Sequence, residues 1–436
     1  MTTYKYELGH KPKPVGTILP WFICSLAALF YCYEFFLRVA PSVMVPSLMH
    51  AYHIHAAQIG VLSAFYYYAY TPMQLPVGVL MDRYGPRRLL TMAILVCAIG
   101  SYLFVLTADV WVAEVGRAMV GFGSAFAFVG VLKLATVWLP ENRFALISGL
   151  ATMLGMVGAI SGDTILTEFV HHFGWQVSMH LAAFVGVALA VLVWLIVRDV
   201  VPGTNIKTSA YQVRDTKHAL KAFLFVVKDW RIWLSGIVGG LLFMPTSAFA
   251  ALWGVPYLQV AFHFSPEEAG GGISMIFLGW AIGGPIAGWI SDHMNRRRLP
   301  LTIGSIIAAI LGALVFYLPS LSVFQVYGLL FLFGVFSSVE IIVFALSCEY
   351  ASKKAAGTAI AFTNFLVMLG GVIFQPLIGF VIDWHASGAM EDGQPVYTVQ
   401  DYQVALLVIP VCLLLAFVIS FFLRETYCQH AHKPMQ

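Results

Sequence analysis

The fold of this protein is decided by the stretch Gly78-Val79-Leu80-Met81-Asp82-Arg83-Tyr84-Gly85-Pro86-Arg87-Arg88. There an apolar run ends at an acid, a basic cluster and a Gly-Pro turn, and a new apolar run begins at once. A second copy of the stretch occurs later in the chain, as Gly288-Trp289-Ile290-Ser291-Asp292-His293-Met294-Asn295-Arg296-Arg297-Arg298. Two such loops in corresponding halves of an apolar chain indicate a duplicated membrane protein with a gate on one side.

The composition places the chain in a lipid bilayer. Of its 436 residues, 60% are hydrophobic and 10% are charged, and the mean hydropathy is +0.84. A soluble domain carries about 25% charged residues. Because so few charges cannot cover a surface exposed to water, we expect a polytopic membrane protein.

The sequence lacks the motifs of enzymes and of metal sites. It has no nucleotide-binding glycine loop, no Ser/His/Asp set outside the apolar runs, and no CxxC among its six cysteines. The histidines at His50, His53 and His55 are interpreted as solvated loop residues. We therefore expect no enzyme activity, no cofactor, no metal ion and no nucleic-acid partner.

Twelve apolar runs are long enough to cross a bilayer, which takes about 20 residues in a helix. We number them helices 1 to 12, and they cover residues 18–42, 57–80, 87–107, 110–136, 143–169, 176–197, 230–259, 268–290, 299–318, 322–347, 356–382 and 402–423. A long polar stretch separates helix 6 from helix 7. It predicts one six-helix bundle over residues 1–197, a linker over 198–229 and a second bundle over 230–436.

Lysine and arginine define two sides of the protein. Of 24 such residues, Arg38, Arg117 and Lys133 lie within the apolar runs, and the other 21 lie in the termini, the loops after even-numbered helices, or the flanks of those loops, which include the first residues of several runs. The loops on the opposite side contain none. Because basic loops stay in the cytoplasm, both termini are predicted to be cytoplasmic. The absence of an N-x-[ST] sequon favours a bacterial inner membrane.

These features together resemble the major facilitator superfamily over essentially the whole chain. The first loop matches the signature G-x-L-x-D-R-x-G-R-R, with Pro86 inserted, and the second copy keeps Gly288 and Asp292. Helix 4 contains Arg117-Ala118-Met119-Val120-Gly121-Phe122-Gly123-Ser124-Ala125, which is similar to the family's R-x-x-Q-G-x-G-x-A with Val120 in place of Gln. The resemblance implies an all-α fold of two pseudo-symmetric six-helix bundles, a monomer, and transport of a small-molecule substrate by alternating access.

The resemblance also implies that Asp82 meets the start of helix 11 and that Asp292 acts in the same way toward helix 5, so that the cytoplasmic side is held shut. An acid fits there because the positive end of a helix dipole points toward it. The alternative is that the loop charges only set the topology. The predicted gate consists of Gly78, Asp82, Arg83, Gly85, Arg87, Arg88, Gly288 and Asp292.

Ionisable side chains within the apolar runs are the candidates for the transport site, because they are costly in hydrocarbon unless they face a cavity or a partner. Tyr31, Glu34 and Arg38 share one face of helix 1, and Glu114 and Arg117 share one face of helix 4. The alternative is a pair of closed ion pairs, Glu34 with Arg38 and Glu114 with Arg117. The predicted substrate-binding residues are Tyr31, Arg38, Tyr67, Arg117, Trp253, Glu340 and Asn364. The predicted proton-coupling residues are Glu34, Glu114 and Asp163.

The stretch from Tyr33 to Val43 is similar to helix 1 of the organic-anion branch of the superfamily, in which an Arg engages a substrate carboxylate. The resemblance makes Arg38 the first candidate anion site and Arg117 the second. Two departures, Leu37 beside Arg38 and Ser124 in helix 4, replace the branch's usual acids. We therefore expect Glu34 to carry the proton.

Glu340 leaves the substrate class open. Cations in the first half and an acid in the second suit a zwitterion such as an amino acid or short peptide, whereas an anion would leave Glu340 unpaired unless it carries the proton. Helix 5 lacks the Gly-Pro pattern of exporters, since Gly155 and Gly158 have no proline beside them. This favours uptake driven by a proton gradient over proton-antiporting export. A non-transporting receptor of the same fold is a further alternative.

Overall fold

The computed structural model describes residues 18–140, 143–199, 216–352, 355–391 and 394–429. Within them, eleven helices are long and apolar enough to cross a membrane. Helix 2 is the twelfth, and a turn at residues 74–76 divides it into two shorter pieces. The predicted all-α architecture of twelve membrane helices is confirmed.

The first half of the chain contains helices 1 to 6. Their α-helical pieces are Ile18–Val39 and Val45–Tyr52, Ala56–Met73 and Val77–Tyr84, Pro86–Leu103, Val110–Ser124 and Ala127–Trp138, Phe144–Asp163 and Ile165–Phe173, and Trp175–Ile196. A further helix, Thr216–Val227, lies between the halves.

The second half contains helices 7 to 12. Their α-helical pieces are Trp230–Leu242 and Gly254–Phe262, Pro266–His293, Arg298–Tyr317, Val323–Ser337 and Ile342–Tyr350, Ala356–His385, and Val399–Leu406 and Val408–Ser420. A small antiparallel pair of strands, Met390–Glu391 and Gln394–Pro395, joins helices 11 and 12.

Three of the described membrane helices contain a 3-10 or π-helical segment. Helix 1 has a 3-10 turn at Ala40–Met44 with Pro41 at its start, and helix 10 has one at Ser338–Ile341. Helix 7 is a π-helix from Pro245 to Trp253. Such segments are frequent at functional sites, because they redirect side chains that a regular helix would hold in register.

The two halves meet where helix 2 packs on helix 11 and helix 5 packs on helix 8. On the side opposite the basic loops the backbones touch. A side chain at Gly60 would lie 2.5 Å from the backbone oxygen of Gln375, and one at Gly270 would lie 2.0 Å from that of Asp163. Only glycine allows this approach. The side opposite the basic loops is therefore closed.

The basic side is different. A side chain built at Gly78, Gly149, Gly288 or Gly357 would have no described atom within 4 Å. These glycines lie near the basic ends of helices 2, 5, 8 and 11. The piece Val77–Tyr84 of helix 2 packs against helices 3 and 4 of its own half. Among the described residues, then, these glycines make none of the close backbone contacts that join the halves on the other side. The boundaries predicted at residues 197 and 229 stay predictions, because residues 200–215 lie outside the described part.

Candidate functional site

A buried ion pair lies at the centre of the first half. Arg38 and Glu34 are one turn apart on helix 1, with 4% and 0% of their surfaces exposed. The Nε of Arg38 donates to Glu34 Oε1 at 3.1 Å, and the Nη2 of Arg38 and the hydroxyl of Tyr66 donate to the same oxygen. The guanidinium also lies 4.2 Å from the ring centre of Phe35. One carboxylate oxygen thus collects three donors, as the alternative of a closed pair on helix 1 predicted.

Arg117 of helix 4 is buried beside this pair, with 2% of its surface exposed. Its Nη1 donates to the backbone oxygen of Leu37 at 2.8 Å and its Nη2 to that of Arg38 at 3.2 Å, while its Nε has no partner. The guanidinium carbons of Arg117 and Arg38 each lie 5.3 Å from the ring centre of Tyr66. In the described part of the chain, this cluster thus holds two buried guanidinium groups and one carboxylate, which pairs with Arg38 and not with Arg117.

The predicted pair of Glu114 with Arg117 does not form. Glu114 lies near the start of helix 4 and interacts electrostatically with Tyr68, whose side chain is 39% exposed. A spacing of three residues along a helix allows two side chains to meet. Arg117 instead donates its hydrogen bonds to backbone carbonyl groups of helix 1. Glu114 is thus separated from the buried cluster.

Glu340 lies in the 3-10 turn of helix 10, in the other half of the molecule, and is 1% exposed. No described residue donates a hydrogen bond to its carboxyl group or forms an ion pair with it. Tyr31 of helix 1 is close enough to interact electrostatically with Glu340, Glu34 and Arg38. Tyr31, Arg38, Arg117 and Glu340 are therefore brought into one region that both halves border.

Asp163 is a third buried acid, at the end of the first piece of helix 5. It is 0% exposed, and the Ser42 hydroxyl donates to its Oδ1 at 3.0 Å, whereas Oδ2 has no partner among the described residues. Its backbone faces Gly270 of helix 8 in the closed contact between the halves.

The other predicted substrate residues connect helices to one another. The Tyr67 hydroxyl lies 3.5 Å from the backbone oxygen of Ser247, and the Asn364 amide donates to Gln74 Oε1 at 2.8 Å. Trp253 is fully buried and donates from Nε1 to the backbone oxygen of Gln375 at 3.1 Å. In this arrangement they hold helices 2, 7 and 11 together.

The two acids of the repeated loops form ion pairs within their own halves. Asp82 binds the Nζ of Lys133 on helix 4 at 2.6 Å, and Asp292 binds Nη1 of Arg297 at 2.5 Å. Among the described residues, which leave out 141–142 and 353–354 beside the starts of helices 5 and 11, the predicted contacts of Asp82 with helix 11 and of Asp292 with helix 5 are not found. Each acid instead pairs with a cation of its own half.

The remaining residues of the first loop serve the local turn. Gly85 has a φ of +83° between helices 2 and 3, a value that favours glycine. Arg87 donates to the backbone oxygen of Trp194 at 2.7 Å and lies on its ring, Arg83 lies on the ring of Tyr84, and Arg88 is exposed.

Comparison with known families decides the membership. The sequence model of the Major Facilitator Superfamily matches residues 24–375 and, in a second match, residues 240–433. The chain belongs to the Major Facilitator Superfamily. The second match begins inside the first and covers helices 7 to 12.

Relatives in the superfamily match most of the chain. The membrane sensor protein UhpC of Salmonella typhimurium is 23% identical over 378 residues, which are 83% of this chain and 84% of the sensor. The probable sulfoacetate transporter SauU of Cupriavidus necator is 22% identical over 379 residues, 83% of this chain and 87% of that protein.

A solved structure confirms the fold. A bacterial homologue of the human lysosomal transporter Spinster, in an inward-facing and unoccupied conformation, superimposes with a TM-score of 0.75 and 16% identity, over 93% of this chain and 97% of that one. As a member of the superfamily, the protein described here is a multi-pass membrane transporter of a small molecule and not an enzyme.

Sequence reasoning missed an important contact between the halves. Asp383, at the end of helix 11, accepts the backbone N–H of Ala56 at 3.2 Å and that of Ala57 at 2.8 Å, in the first turn of helix 2. The Tyr397 hydroxyl donates to Asp383 at 2.5 Å, and burial together with this carboxylate raises the pKa of Tyr397. We call Asp383, Tyr397 and the first turn of helix 2 the distal latch. The sequence signal that could have revealed this contact is an acid at the end of one helix, which can bind the positively polarised start of another helix, as was argued for Asp82.

Proposed function

We propose that this transporter takes up a small organic anion into the bacterial cytoplasm together with protons. The observation that carries the proposal is the ratio of charges in the buried cluster: it holds two guanidinium groups, those of Arg38 and Arg117, and the single carboxylate of Glu34, which pairs with Arg38. An uncompensated charge in a membrane interior is costly, so the cluster favours a ligand that brings a negative charge. A carboxylate or sulfonate fits, because planar guanidinium groups bind oxyanions through two hydrogen bonds.

The relatives support this class of substrate. The name of the SauU transporter specifies sulfoacetate, a small molecule with two acidic groups. We place the basic side of the protein, with both termini, in the cytoplasm, on the basis of the distribution of lysine and arginine. In that orientation the side that lacks the close backbone contacts opens toward the cytoplasm, and the distal latch closes the outer side.

Thermal stabilisation tests the substrate class. We expect carboxylates or sulfonates to raise the melting temperature of the purified protein, since a ligand at 100 times its dissociation constant stabilises the folded state by about 2.7 kcal/mol. Arg117→Ala should abolish this shift, and Arg296→Ala, which removes an exposed arginine of the basic loop, should preserve it. An unchanged shift in Arg117→Ala would refute the anion site.

Transport is then measured in proteoliposomes that contain a pH-sensitive dye. Uptake of the stabilising anion should be accompanied by entry of protons. If amino acids or short peptides stabilise the protein and anions do not, the zwitterion alternative replaces the proposal. If anions bind but never cross, the protein works as a receptor, the function that the name of UhpC gives for a protein of similar length.

A further inference from the structure

We propose that Glu340 carries the transported proton, and that one proton accompanies each singly charged substrate anion. The inference rests on the proposed proton-coupled uptake. A carrier of a transported proton must exist in both protonation states, so it cannot be held permanently by a cation. It must also exchange its proton with water on the side that is open. The three buried acids of the membrane helices differ on both points.

Glu34 fails the first requirement. Its Oε1 accepts from two nitrogens of Arg38 and from the hydroxyl of Tyr66. Protonation of Glu34 would remove the carboxylate that pairs with the buried guanidinium of Arg38, at a cost typical of a broken buried ion pair. Its other oxygen, Oε2, is sealed from solvent. Glu34 is therefore the fixed counter-ion of Arg38.

Asp163 fails the second requirement. Its Oδ2 is sealed from solvent, and its backbone lies against Gly270 in the contact that closes the side opposite the basic loops. A proton on Asp163 has no route to the open basic side in this arrangement. Opening of the outer side would expose Asp163 to the outer medium, which supplies protons. Release of a proton to the basic side would still require a different group.

Glu340 meets both requirements. It is buried, with no donor and no ion-pair partner among the described residues, and neither of its oxygens is sealed as Glu34 Oε2 and Asp163 Oδ2 are. Its 3-10 turn packs against helix 8, helix 9 and the first piece of helix 7. The titratable residues on these helices and on helix 10 lie toward the helix ends: Arg231, Glu267, Glu268, Asp292, His293, Arg298, Tyr317, Tyr327, Cys348, Glu349 and Tyr350. In the other half of the molecule, Tyr31 of helix 1 is close enough to interact electrostatically with Glu340 as well as with Glu34 and Arg38.

The sum of charges explains how the proton and the substrate become coupled. Arg38, Arg117 and Glu34 together carry one positive charge. In the empty transporter an ionised Glu340 balances it across the cavity. When a singly charged anion binds the cluster it takes over that balance, and Glu340 becomes neutral by taking a proton from water. Both the empty and the fully loaded transporter then have no net charge in the membrane.

The partly loaded forms differ. With the anion alone the cavity carries a net negative charge, and with the proton alone a net positive one. Closing the site around a net charge removes its hydration, which is costly at this depth in a bilayer. Conformational exchange is therefore favoured only for the empty form and for the form that holds both, which is what symport requires. Binding of the anion raises the affinity of Glu340 for the proton, and binding of the proton raises the affinity for the anion by the same factor.

Glu340→Gln tests the assignment in proteoliposomes, with Asp109→Asn, a change to a helix cap on the outer face, as the control. We expect the wild-type protein and Asp109→Asn to accumulate a monoanion when the outside is acidic, with proton entry and no response to an imposed membrane potential. Glu340→Gln should lose proton entry and accumulation at least tenfold, but keep exchange of labelled for unlabelled substrate, because its loaded form is still neutral. Glu340→Asp should restore proton entry.

The outcomes separate the two proposals. Proton entry at the wild-type rate in Glu340→Gln overturns the role of Glu340, and so does monoanion uptake that responds strongly to the membrane potential in the wild-type protein. If the wild-type protein moves no protons with any anion, the proposed function itself fails. If Glu340→Gln does not fold, calorimetry of the wild-type protein in buffers of different ionisation heat still decides. Binding of a monoanion should take up one proton, and uptake of none would overturn the inference.

Discussion

Substitution of Asp383 by asparagine should shift the transporter toward its outward-open form. The carboxylate of Asp383 accepts two backbone N–H groups at the start of helix 2, at 2.8 and 3.2 Å, and the hydroxyl of Tyr397. A hydrogen bond to a charged group contributes about 1.5–3 kcal/mol, and a charge at a helix start about 0.3–1 kcal/mol. Asparagine keeps one carbonyl acceptor and loses the charge.

We therefore expect the outer-closed form to lose about 2 kcal/mol relative to the outer-open form, which changes their ratio roughly 30-fold. Most of this loss falls on the closed form, because the latch joins the two halves and breaks when they separate. The net effect is smaller than the sum of the bonds, since Asp383 is only half-buried and water replaces part of what is lost.

Distance measurements between spin labels on the outer face would detect the shift. Gln176 at the start of helix 6 and Ser387 after helix 11 are exposed and lie in different halves. Labels at these positions require replacement of the native cysteines, of which all six are free thiols. Asp383→Asn should add a longer distance to the short one of the wild-type protein.

Asp109→Asn is the matched control, because Asp109 also caps a helix on the outer face. Its carboxylate accepts the N–H of Trp111 at 3.0 Å within its own half, so the variant should keep the short distance. If Asp383→Asn gives the wild-type distances, or if Asp109→Asn gives the same longer distance, the latch does not hold the outer side closed.

Two further substitutions test the packing of the first half. Glu34→Gln removes the carboxylate that pairs with the buried Arg38 and should lower the free energy of unfolding by about 3–5 kcal/mol, measured as thermal stability in detergent. A variant as stable as the wild-type protein would show that Glu34 is not the counter-ion of Arg38. Gly158→Ala would place a side chain 2.0 Å from the backbone oxygen of Cys32 and should cost about 1–3 kcal/mol. Gly149→Ala, with no described atom within 4 Å, should be neutral in the same melting experiment, and equal losses in both would contradict the close contact of helices 1 and 5.

The sequence alone determined the membrane class, the twelve helices and the basic side. These properties are one-dimensional, because a bilayer demands about 20 apolar residues per helix and charges that stay on the correct side. The repeated loop at Asp82 and Asp292 was enough to predict the superfamily. The pair of Glu34 with Arg38 was also readable, since residues four apart on a helix are neighbours.

Only the tertiary structure decided which partners the other charged residues find. Arg117 binds carbonyl groups of helix 1 instead of Glu114, Asp82 binds Lys133 instead of helix 11, and Asp383 reaches the start of helix 2. Which partner each residue binds depends on the rotation of the helices about their axes and on the distance between the two halves. Neither quantity can be read from the spacing of residues along one helix. For the same reason only the structure distinguished an acid held by a cation, Glu34, from an acid without one, Glu340.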